Sequence, residues 1–201
     1  MIYMLKLFKP NNIPNILTVL RVFFIPLYLY FLFKDNYIYQ FISLLIFILA
    51  SITDYIDGII ARKYNYESSF GKFLDPLADK FLVLSAFVAF SFKPETLIPL
   101  WLVSLFFIRE IGITLLRVFV ITQGKEMKTS FHGKFKTTVQ MITISVITFL
   151  IAFRNLLIEF KKINYFEKYF FIKYIPLFLI ILSLIATYYS GFQYLYSNKS
   201  K

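Results

Sequence analysis

Asp54, Asp57, Asp75 and Asp79 fall within 26 residues, in the stretch DYIDGIIARKYNYESSFGKFLDPLADK (54–80), which lies between segments apolar enough to be membrane spans. Carboxylates gathered at a membrane interface repel one another, and left unpaired some must stay protonated. Divalent cations offset that charge. The chain has no cysteine, which excludes disulfides and thiolate metal sites. Any metal must therefore rest on oxygen, and oxygen ligands favour a hard ion, Mg²⁺ or Mn²⁺. Two ions would balance four carboxylates.

The spacing indicates which elements carry these groups. Asp54, Asp57, Gly58 and Ala61 stand at i, i+3, i+4 and i+7, one stripe down a helix at the end of a span. Asp75 and Asp79 form a second such pair. Pro76 suits the first turn of the next helix, so the two acidic stripes are expected on adjacent antiparallel helices joined by KYNYESSFGKF (63–73). Gly58 and Ala61 leave a groove where a ligand can approach the backbone, and Arg62 supplies a planar fork for phosphate oxygens. Metal, groove and arginine together suggest a pyrophosphate. Taken alone, Gly58 and Ala61 are equally well explained by close helix packing.

The rest of the chain fits a membrane protein. It is 59% hydrophobic, above the roughly 45 to 50% of ordinary soluble domains, and 21% aromatic, with no repeat or low-complexity tract. The expectation is an all-α integral membrane protein with a single membrane-embedded domain over 1–201 and six transmembrane helices. These lie at about 13–33, 38–62, 76–92, 97–120, 137–153 and 174–195. The first apolar run lacks a small-residue cleavage site and contains Thr18 and Arg21, so it reads as a retained helix. Twelve Lys and Arg residues lie on the side of the termini and seven on the other, which places the termini and the acidic stretch in the cytoplasm. The net charge of +11 is explained by this topology and by anionic lipid headgroups, so no nucleic-acid partner is expected.

Read as D-x2-D-G-x2-A-R-x8-G-x3-D-x3-D, the pattern is met by Asp54, Asp57, Gly58, Ala61, Arg62, Gly71, Asp75 and Asp79. At about 5% per specified residue, eight matches have a chance probability on the order of 10⁻¹⁰ per starting position. The string resembles the signature of the CDP-alcohol phosphotransferases, membrane enzymes that move a substituted phosphate from a CDP-linked donor to an alcohol. Within that family the chain is similar to the bacterial enzymes whose donor is CDP-diacylglycerol and whose acceptor is glycerol 3-phosphate. The similarity extends to NIPNILTVLRVFFIP (12–26), GKFLDPLADKFLV (71–83), REIGITLLRVF (109–119) and GKFKTTVQM (133–141). The residues from about 154 to 173 carry no part of it.

The resemblance implies that the four aspartates hold two divalent ions on the donor pyrophosphate and that Asp79 is also the base toward the acceptor hydroxyl. It places Gly58, Ala61, Arg62, Ser68 and Gly71 at the CDP-diacylglycerol site, with Asn15 and Thr18 as further candidates. It implies a multi-pass protein of the bacterial inner membrane, surrounded by membrane lipids, and allows a homodimer. Two metals about 4 Å apart suit an in-line displacement at phosphorus, with CMP as leaving group.

For the acceptor phosphate, Arg109, Arg117, Lys134 and Lys136 lie near the same side, and arginines within an apolar helix are costly enough to imply a function. The alternative is that Arg109 pairs with Glu110 and that the lysines are positive-inside anchors. Arg21 could touch phosphate or balance the aspartates. His132, the one histidine, has no partner motif, and Trp101 and the tyrosines suit the membrane interface. The signature leaves the acceptor open: cardiolipin, phosphatidylserine and inositol-phosphate synthases share it. An intramembrane prenyltransferase would carry two acidic motifs far apart on a longer chain. A cation transporter would place its carboxylates near midspan among broken helices.

Overall fold

A computed structural model describes residues 13–64, 69–122, 131–160 and 166–199, with side chains at 17–54, 56, 78–116, 135–160 and 174–193. The described residues form six helices: α1 (Ile13–Leu32), α2 (Tyr37–Tyr64), α3 (Ser69–Ser91), α4 (Leu100–Thr122), α5 (Phe131–Glu159) and α6 (Phe166–Lys199). Local chemistry sets the junctions. Asn36 caps α2, its Oδ1 accepting from the Ile38 amide at 2.8 Å. At the end of α3 the Thr96 hydroxyl lies 2.6 Å from the Phe90 carbonyl and 2.9 Å from that of Lys93. Leu97 then takes a left-handed conformation (φ 51°), which reverses the chain into α4.

The helices pack as a closed ring in the order α1, α2, α5, α6, α4, α3, with α3 also reaching α5 across the middle. α1 therefore lies against both helices that bear the aspartates. Tyr28, Phe47, Phe87, Phe90 and Phe106 fill the interior, while Phe23, Leu45, Phe81, Ile108 and Phe178 point outward, each more than half exposed. Polar side chains are buried instead. The Tyr28 and Thr148 hydroxyls meet at 3.2 Å, and Gln140 Nε2 donates to Thr187 Oγ1 at 3.1 Å. An apolar exterior around hydrogen-bonded polar contacts is what a bilayer selects, since lipid gives helices no hydrophobic reason to associate.

By length and composition, three described segments can cross a membrane: Tyr37–Asp54, Phe135–Glu159 and Tyr174–Gln193. The helices outrun the apolar runs that mark them in the sequence. α3 begins at Ser69, so Pro76 stands inside the helix and not in its first turn as expected, and Gly71 and Asp75 are helical. α5 and α6 likewise extend past the apolar windows, so 154–159 belongs to α5 and 166–173 to α6. There Asn155 Nδ2 donates to Gln40 Oε1 at 2.9 Å, and Arg154 pairs with Glu95 at 3.3 Å, tying α5 to α2 and to the α3–α4 turn.

Candidate active site

Successive helices run antiparallel, so the start of α1, the end of α2, the start of α3, the end of α4, the start of α5 and the end of α6 gather at one end of the bundle. Charge concentrates there. Arg21 on α1 is fully buried, and its Nη1 lies 2.8 Å from Asp54 Oδ1 on α2. A guanidinium at that depth needs a countercharge, and Asp54, whose side chain is 38% exposed, supplies it from the more open side. Asp79 on α3 is partly buried, and the charges of Asp54, Arg21, Lys136 and Glu110 all act on it. Four helices thus contribute charge around one carboxylate on a fifth.

Beside it lies a second cluster. Glu110 on α4 accepts from Arg109 Nη1 at 3.1 Å, and the same oxygen, Oε1, contacts Lys136 Nζ from α5. The side chains of Arg109, Glu110 and Lys136 are each 10% exposed or less. Arg109 Nε has no hydrogen-bond partner among the described residues. Gly191 on α6 makes room for that guanidinium: a Cβ there would sit 3.3 Å from Arg109 Nε. One turn further along α4, the Thr114 hydroxyl donates to the Glu110 carbonyl at 2.6 Å and also contacts Lys80 Nζ, next to Asp79.

The structure brings together Asp54 and Asp79 with Lys136, and places Arg109 on the same carboxylate as Lys136. The pairing of Arg109 with Glu110, one of the two alternatives for that arginine, is present. Thr18 is buried on α1, one turn before Arg21. Asn15, Asp57, Gly58, Ala61, Arg62, Gly71, Asp75, Arg117 and Lys134 stand on these same helix ends, but their side chains lie outside the described residues; Ser68 lies outside them altogether. Sequence reasoning left Arg21 between touching phosphate and balancing the aspartates, and its contact with Asp54 is the second of these; it gave Glu110 no role of its own. Each had a signal: Arg21 is the single charge within its apolar run, and Glu110 is an acid within another.

The donor set fits a hard divalent cation. Asp54 and Asp79 are near enough to feel each other's charge, and Asp57 and Asp75 are one helical turn from them on α2 and α3, so every candidate donor is a carboxylate oxygen. Among the described residues no three His, Cys, Asp or Glu form a group that could hold an ion by themselves.

Membrane-type helices converging on carboxylates, beside a buried pair of cations, define an integral membrane protein with a charged centre inside its helix bundle. Residues 11–189 match the family model for CDP-alcohol phosphatidyltransferases, and the chain belongs to that family. It is 39% identical over 138 residues to a Mycobacterium tuberculosis protein named "Probable phosphatidylglycerophosphate synthase", covering 67% of this chain and 65% of that one. It is 38% identical over 141 residues to the Cereibacter sphaeroides CDP-diacylglycerol–glycerol-3-phosphate 3-phosphatidyltransferase (68% and 62%), and 34% identical over 148 residues to the Bacillus subtilis protein of the same name (68% and 76%). The chain thus spans just under two thirds of the length of the first two.

Proposed function

We propose that this chain transfers the phosphatidyl group of CDP-diacylglycerol to glycerol 3-phosphate, releasing CMP. The observation that carries the reading is the adjacency of two oppositely charged centres at one end of the bundle, Asp54 with Asp79, and Arg109 with Lys136. A donor pyrophosphate needs cations held by the first, and an acceptor phosphate needs the second. The names of the relatives support both substrates.

Asp54, Asp57, Asp75 and Asp79 would hold the divalent ions, Mg²⁺ or Mn²⁺; bound there, such ions neutralise charge on a pyrophosphate. The chain's own residues do the rest. Arg21 fixes the rotamer of Asp54 through their 2.8 Å contact. Gly58, Ala61, Arg62, Ser68 and Gly71, with Asn15 and Thr18, line the CDP-diacylglycerol site. Arg109, Arg117, Lys134 and Lys136 hold the acceptor phosphate, and Asp79 takes the proton of the acceptor hydroxyl. That oxygen forms the new bond to the phosphatidyl phosphorus. The bond to the bridging oxygen breaks, and CMP leaves with the electron pair.

On this reading all six helices cross the bilayer as one catalytic domain over 1–201. The lysine and arginine asymmetry supports a cytoplasmic face for the site, and the resemblance to bacterial enzymes of the family supports a bacterial inner membrane. A homodimer is compatible with the ring of helices.

The acceptor assignment has its own test. Arg109→Ala and Arg117→Ala should each raise the KM for glycerol 3-phosphate far more than that for CDP-diacylglycerol. A charge-assisted bond to phosphate is worth about 1.5 to 3 kcal/mol, so each loss should weaken acceptor binding roughly 10-fold to 150-fold. Arg62→Ala should show the reverse bias. Arg109→Lys and Arg117→Lys should recover only part of the loss, because lysine lacks the planar fork. Equal damage to both substrates, or preference of the wild type for phosphatidylglycerol, serine or inositol phosphate, would remove glycerol 3-phosphate from the account.

A further inference from the structure

We propose that Glu110 is the positioning residue of the acceptor-phosphate site, fixing Arg109 and Lys136 in place without touching the phosphate itself. The proposal rests on the reading of that site given above. Both cations go to the same oxygen, Oε1, one from α4 and one from α5. Two like charges converging in an apolar bundle repel strongly unless an opposite charge lies between them. Without Glu110 the lysine, on its flexible four-carbon stem, has every reason to swing away.

The carboxylate leaves donors to spare. Arginine has five N–H groups and an ammonium three, and Glu110 occupies one of each. The buried Arg109 Nε, with no hydrogen-bond partner among the described residues, is among the groups an incoming phosphate can use. Set against this, a carboxylate repels phosphate, so a glutamate here that did nothing for the cations would weaken acceptor binding. The anchoring also reaches the reacting end of the site. Thr114 joins the Glu110 carbonyl to Lys80, the neighbour of Asp79, so the turn that holds the cations is tied to the helix that holds the proposed base.

The test is steady-state kinetics of Glu110→Gln and Glu110→Asp in detergent, with KM for each substrate and a thermal melt. Glu110→Gln should raise the KM for glycerol 3-phosphate about 10-fold and that for CDP-diacylglycerol by less than about twofold; Glu110→Asp, which keeps the charge on a shorter stem, should restore part of the loss. In an Arg109→Ala background the Glu110→Gln change should add less than about threefold, since it acts through residues already disturbed. An unchanged or lower acceptor KM in Glu110→Gln, or an equal rise for both substrates, overturns the proposal. If Glu110→Gln fails to accumulate folded, Glu110→Asp alone decides: its acceptor KM must rise while its donor KM does not. If Arg109→Ala itself leaves the acceptor KM unchanged, the acceptor site is elsewhere and both readings fall. If Arg109→Ala raises it and neither Glu110 variant does, only the positioning role is lost.

Discussion

Asp54→Asn and Asp75→Asn are each expected to reduce turnover by about 10³-fold or more while folded protein still reaches the membrane, since divalent ions contribute several kcal/mol to such transition states and each 1.36 kcal/mol is tenfold in rate. Asparagine keeps the shape of aspartate and offers one amide oxygen, so the Asp54 position can still accept from Arg21 Nη1, now 2.8 Å from Oδ1. What is lost is the negative charge that recruits a cation. The buried Arg21 loses its countercharge as well, so some fall in thermal stability should accompany Asp54→Asn and be absent from a control substitution on the lipid-facing surface, such as Phe81→Leu. The measurement is CMP release by membrane fractions matched for folded protein. Full activity of wild type in excess EDTA, or of either asparagine variant, would contradict the metal assignment.

Asp79→Asn should also be severe, with chemistry suffering more than donor binding. Positioned proton transfer is worth about 10² to 10⁴ in rate. Asp79 is the carboxylate on which the charges of Asp54, Arg21, Lys136 and Glu110 all act, so it lies within electrostatic reach of both the donor centre and the acceptor cluster. A group in that position can serve both, so the separation of binding from turnover is the informative quantity. Donor affinity from titration with CDP-diacylglycerol should shift modestly, while single-turnover CMP release should fall by at least about 10²-fold. Normal donor affinity with a near-normal rate would reduce Asp79 to a structural ligand and leave the base unassigned.

Much of this was readable from the residues, for identifiable reasons. Aspartates at i, i+3 and i+4 mark one helix face whatever the surroundings, and α2 runs as a continuous helix through Asp54, Asp57, Gly58, Ala61 and Arg62. Hydropathy, in contrast, reports where lipid is and not where a helix ends. The start of α3 at Ser69 was therefore missed, because polar residues there leave the apolar run without leaving the helix, and α5 was ended at Phe153, before Arg154, although its apolar segment continues to Glu159. Pro76 was read as a helix start from local preference; the tertiary setting carries the helix through it.

Pairings across the bundle were the least legible part. Arg21 and Asp54 are 33 positions apart on helices adjacent in the ring, and Lys136 and Glu110 are 26 apart on α5 and α4, which are not ring neighbours and meet only through these long side chains. The sequence offered Arg109 with Glu110 as a neighbouring pair competing with phosphate binding. The geometry shows that one glutamate can hold Arg109 and Lys136 at once, so pairing and phosphate binding are compatible.

The central claim is tested most directly by CMP release from CDP-diacylglycerol by the detergent-purified protein, with the acceptor and the divalent ion each supplied or withheld. The account predicts CMP only when glycerol 3-phosphate and Mg²⁺ or Mn²⁺ are both present, in equal amounts with phosphatidylglycerophosphate. CMP formed at the same rate without any acceptor, or none formed with both present, would contradict it.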